Sequence, residues 1–119
     1  MCEKYIQDGK VAVLVSPGFG AGWSTWGAKE LAYDKRVVEF WLSHKDDKEY
    51  INQLDTYKKN ETKEKASKLF KSWGYDHVYF GGFEDIKLVW IPVGTLFVIT
   101  EYDGSEEIQT IGSIKWTTA

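Results

Sequence analysis

A chain of 119 residues has the length of one domain, here taken as 1–119, and its formal net charge of -3 excludes a general DNA or RNA binder, which relies on Lys and Arg to neutralise phosphates. With a single Cys and two His there is no disulfide framework and a poor inventory of metal ligands, so no metal and no cofactor are expected. Without a long apolar run or a signal-peptide core after Met1, the expectation is a soluble, cytoplasmic protein with no membrane partner.

In chain order, Val11-Ala12-Val13-Leu14-Val15 is a continuous, mostly β-branched run between Gly9 and Pro17-Gly18, which reads as a buried strand. A glycine-rich loop with two tryptophans follows, Ser16 to Gly27. From Ala28 to Ser43, Leu31, Val38, Trp41 and Leu42 share one helical face, widened by Val37 and Phe40. Tyr50, Ile51, Leu54 and Tyr57 mark a second helix over Asp47 to Tyr57. A third follows Asn60 as cap, with Ala66, Leu69, Phe70 and Trp73 as its stripe and Gly74 as its stop.

Beyond Gly74 the pattern shifts to short β segments at His77–Phe80, Ile86–Ile91, Leu96–Tyr102, Glu107–Ile111 and Ile114–Thr117. The expected architecture is α+β: an N-terminal strand and two to three helices packed on an antiparallel β-meander. Trp41, Trp73 and Trp90 fall in apolar stripes or runs and are expected in the core. Asp103-Gly104 is a hairpin signal, because both residue types tolerate the positive φ of a type I′ turn. A two-residue loop there sets Glu101 opposite Glu106, a like-charge pair that costs stability unless the tip is solvated, the loop is longer, or a cation or hydroxyl-bearing ligand sits between them.

The glycine loop matches neither the Walker pattern, which ends in Gly-Lys-Ser/Thr, nor a dinucleotide fingerprint, which needs a βαβ unit. Its physical content is a strand-loop-helix joint. Backbone N–H groups of Gly18, Phe19, Gly20, Ala21 and Gly22, hydroxyls of Ser16, Ser24 and Thr25, and a helix N-terminus suit a phosphate or carboxylate. Trp23 and Trp26 either stack a base beside it or pack under the sheet. Arg36 is the only arginine and a natural anion partner; carboxylates such as Glu101 or Asp103 suit ribose hydroxyls, and Arg36 with the Glu101 to Glu106 hairpin would close the site. A triad of Ser16 or Ser24 with His77 and Asp103 would need three distant segments to meet, and Ser24 lies in no nucleophile-elbow pattern, so no catalytic residue is assigned. Lysines 58 to 71 gather around the third helix and acids around the hairpin, a polarity that favours self-association as a dimer or larger assembly.

The stretches Val13 to Trp26, Leu31 to Glu39, Tyr79 to Pro92 and Gly94 to Glu106, with the strings Gly-Ala-Gly-Trp-Ser-Thr-Trp and Glu-Tyr-Asp-Gly-Ser-Glu, resemble a family of small uncharacterised bacteriophage and bacterial proteins. The segment Asp46 to Tyr75 is longer and richer in Lys than that family's pattern. Short acidic phage proteins of this kind resemble anti-defence proteins, some of which sequester nucleotide signals of bacterial immunity. The resemblance implies a non-enzymatic binder of a nucleotide-derived signal acting in an infected bacterial host. The alternatives are a protein inhibitor of a host defence enzyme and a small nucleotide hydrolase.

Overall fold

The computed structural model describes residues 3–18, 22–54 and 61–110. The fold is α+β, with three helices and antiparallel strands in two sheets among the described residues. Strands β1 (Ile6–Gln7), β2 (Lys10–Val15) and β3 (Lys87–Pro92) form one antiparallel sheet in the order β1-β2-β3. Strands β4 (Phe97–Tyr102) and β5 (Ser105–Thr110) form a separate hairpin, so the strands do not make one continuous meander.

The continuous apolar run of β2 is explained by burial on both faces. Ala12 and Leu14 face the helices and join a core with Trp23, Leu31, Val38, Phe70 and Phe80. Val11, Val13 and Val15 face the other way, against Ile91 and the inner side chains Phe97, Ile99 and Ile108 of the β4–β5 hairpin. Strand β2 is therefore the middle of three layers, and a strand buried on both faces has no polar face to alternate with.

The first expected helix divides in two. A 3-10 turn at Lys29–Ala32 is followed by α1 (Lys35–His44), because Asp34 leaves helical geometry at φ -59, ψ 124 and its carboxylate accepts from the Arg36 N–H. Both pieces place apolar residues in the core, so the stripe reads continuously through the break. Helix α2 spans Lys48–Leu54 and α3 spans Glu61–Ser72; the expected Asn60 cap and the end of the second helix at Tyr57 lie outside the described residues. Gly74, at φ +98, closes α3 with two capping bonds, Tyr75 N–H to the Phe70 carbonyl at 3.1 Å and Gly74 N–H to that of Lys71 at 2.9 Å.

The segment His77–Phe80 is not a strand: 77–79 are irregular and Phe80–Asp85 is a 3-10 helix. Ile114–Thr117 lies outside the described residues. Trp41 is in the core and Trp73 is partly buried against it. Trp90 corrects the expectation: β3 is an edge strand, and its indole lies near the Asp8-Gly9 turn against Tyr5, 41% exposed. Among the described residues no helix is long and apolar enough to cross a membrane.

Candidate functional site

The hairpin turn forms as its sequence demands, with Asp103 at φ 50 and Gly104 at φ 86, and the register pairs Tyr102 with Ser105 and Glu101 with Glu106. Opposed residues share a face, so both carboxylates point the same way. The loop is not longer; Glu101 stays exposed to water, and the glycine loop takes up Glu106. Glu106 is buried, and its two oxygens accept from the Ser16 N–H, the Trp23 N–H and the Thr25 N–H, each at 2.9 Å, and from the Thr25 hydroxyl at 2.5 Å. Glu101 accepts from the Gly104 N–H at 2.8 Å and from the Trp26 indole N–H at 3.2 Å.

The loop is thus complementary to an anion, as its composition suggests, but the anion it holds is the protein's own Glu106. Two further bonds fix the hairpin tip to the end of β2: Glu106 N–H to the Ser16 carbonyl at 2.8 Å and the Ser105 hydroxyl to the Pro17 carbonyl at 2.7 Å. Close approach accounts for two glycines. A Cβ on Gly18 would stand 2.7 Å from an Asp85 carboxylate oxygen, and one on Gly22 would stand 2.5 Å from the Trp26 ring.

The other residues singled out in the sequence fall in several places. Trp23 is fully buried, its indole N–H donating to the Leu31 carbonyl at 3.0 Å and its ring packed by Phe70, Phe80 and Phe83. Trp26, by contrast, is 42% exposed and lies beside Tyr79. Arg36 spans Asp34 with Nε and Nη2 at 3.2 and 2.9 Å and stands over the Trp73 ring. Asp34 is buried and also accepts from the Tyr75 hydroxyl at 2.6 Å. Burial pushes its carboxyl up, but hydrogen bonds from Arg36 and Tyr75 outweigh that and hold it below the ordinary carboxylate value. Asp103 shapes the turn. Phe19, Gly20 and Ala21 lie outside the described residues.

On one side of the Ser24-Thr25 turn lies a cleft of about 440 Å³, which sequence reasoning did not locate. Its polar rim is Lys4, Lys29, Tyr33 and Thr95 together with Ser24 and Thr25, and its wall is Leu96 to Ile99. Successive strand residues point to opposite faces, so the presence of Phe97, Val98 and Ile99 together means that the backbone edge of β4 borders the cleft. Among the described residues no carboxylate lines it. Among the described residues Lys4 and Lys29 make no ion pair, although the Lys4 ammonium lies 5.5 Å from the centre of the Tyr33 ring. Isolated lysines separated by 25 positions carry no spacing signal in a sequence, which is why only the structure brings them together. Among the described residues no cluster of His, Cys, Asp and Glu could hold a metal ion.

No protein-family model, no curated protein and no solved structure matches this chain. The site is therefore read from its own chemistry.

Proposed function

We propose that this protein is a binding module for a small anion with a flat apolar body, of the nucleotide class, held in the cleft between Lys4, Lys29 and the β4 edge. One observation carries the reading: two lysines that make no ion pair among the described residues flank a cleft whose described lining holds no acid, in a protein whose net charge is -3. The lysines attract phosphate as point charges, the hydroxyls of Thr95 and Ser24 add hydrogen-bonding groups, and Tyr33 with the β4 residues offers apolar surface to a base. Binding rather than turnover is the reading, since the described lining offers lysines and hydroxyls with no imidazole or carboxylate beside them. Glu106, sitting among the loop amides, supports placing the ligand's phosphate in the cleft and not in the glycine loop.

In the setting that the resemblance implies, such binding sequesters a nucleotide-derived immune signal. The test is native mass spectrometry of the protein with a panel of mono-, di- and cyclic nucleotides, followed by chromatography of what is released. The expected result is a stoichiometric nucleotide recovered unchanged, with affinity falling at least about 10-fold in a Lys4→Glu, Lys29→Glu double variant. An altered nucleotide shows an enzyme instead, and equal affinity in the double variant moves the site elsewhere.

A further inference from the structure

Trp26 and Tyr79 form a second feature, on a cleft that shares no lining residue with the first. Their ring centres are 5.1 Å apart with planes inclined at 60°, and both remain exposed, at 42% and 37%. Two large rings left in water at one place are costly unless something covers them. Both are also held in position. A Cβ on Gly22 would stand 2.5 Å from the Trp26 ring, and one on Gly81 would stand 2.5 Å from that of Tyr79, so each ring occupies space that only glycine leaves free. The Trp26 N–H is spent on Glu101, which fixes the indole in orientation and places a carboxylate at its edge.

The surroundings select the ligand. The cleft, about 310 Å³, adds Asp76, Ser67 and His77, and among the described residues no lysine or arginine lines it. Aromatic faces carry negative charge density, and with the Asp76 carboxylate in the lining they make a site that attracts a weakly hydrated cation, while the Glu101 carboxylate stands at the edge of the indole. A phosphate would meet the Asp76 carboxylate and, among the described residues, no lysine or arginine there. We propose that the Trp26–Tyr79 corner binds a small organic ammonium ion, independently of the lysine-flanked cleft.

The test follows the Trp26 indole N–H resonance of the intact protein during titration with choline, and in parallel with 3,3-dimethylbutan-1-ol, its uncharged analogue of the same shape. A saturable shift with choline, at an affinity at least about 5-fold above that of the alcohol, is expected from the worth of a partly exposed cation–aromatic contact. Tyr79→Ala is expected to weaken choline about 3- to 10-fold on the same grounds. Asp76→Asn alters only an exposed side chain, so it serves even where Tyr79→Ala fails to fold, and it is expected to weaken choline without changing affinity for the alcohol. Equal binding of choline and the alcohol, no saturable shift, or full choline affinity in Asp76→Asn and a folded Tyr79→Ala would each overturn the proposal. Neither probe is an anion, so failure here leaves the lysine-flanked cleft untouched.

Discussion

Asp34 and Glu106 are the buried acids among the described residues, and each joins segments distant in sequence. Burying a carboxylate is tolerable only where donors replace the lost water, and both have at least four hydrogen bonds to do so. The Glu101–Glu106 opposition was readable in the sequence because a two-residue turn fixes register. What answers it was not readable, since it depends on where the loop comes to rest. Asp34 was hidden inside a helical stripe, and Arg36 looked available to an anion for the same reason. With its folded-state carboxyl below the ordinary value of 3.8, Asp34 adds stability that is complete above that value and is lost as pH falls through its folded value. Asp34→Asn keeps a capping acceptor but loses the charge. It is expected to lower stability at pH 7 by about 1–2 kcal/mol, toward the low end because Arg36 is half exposed and water screens the pair. In urea unfolding at neutral pH and near pH 3, the gap between variant and parent should narrow on acidification. A gap that stays constant or widens would show that the charge of Asp34 is not what stabilises.

Helix α3 shows how far local signals reach. Its stripe and its glycine stop are both in the sequence, and Gly74 adopts the left-handed conformation with the two bonds that such a stop requires. Among the described residues beyond its chain neighbours, nothing lies within 4 Å of a Cβ built on Gly74, so replacing it with alanine costs backbone strain. Gly74→Ala is expected to destabilise by about 1 kcal/mol, measured as a shift in urea midpoint with unchanged slope. No loss would mean that the cap relaxes freely. The same turn chemistry as Asp103-Gly104 stands at Asp8-Gly9, where φ is 53 and 74 and β1 folds back on β2 with Gln7 opposite Lys10. A two-residue β1 is too short to show alternation, so that hairpin escaped notice. Around His77 the reverse occurred: a short β segment was expected, while 77–79 are irregular, Phe80–Asp85 winds into a 3-10 helix, and Gly81 leaves room for the Tyr79 ring.

At the scale of the molecule, the β4–β5 hairpin is a two-stranded layer, and a sheet that small is marginal alone. It is held to β2 by Phe97, Ile99 and Ile108 on its inner face, and at its tip by the bonds of Glu106 and Ser105 to the loop and the end of β2. The lysine-flanked cleft lies along the other edge of β4, so the position of the hairpin also sets the shape of the proposed site. Removing the carboxylate in Glu106→Ala leaves the Ser16 and Trp23 N–H groups buried without that acceptor. Each such group costs about 1–3 kcal/mol, so a total loss of about 2–6 kcal/mol is expected in urea unfolding. The loss should not be uniform. The β2–β3 sheet keeps its six paired positions and its helical cover, whereas the hairpin loses its anchor at one end. Amide hydrogen exchange should therefore accelerate more at Ile99 and Ile108 than at Val13 and Val89. Equal acceleration in both sheets would show that the hairpin opens only when the whole domain unfolds, and that the carboxylate stabilises the molecule without acting as a local latch.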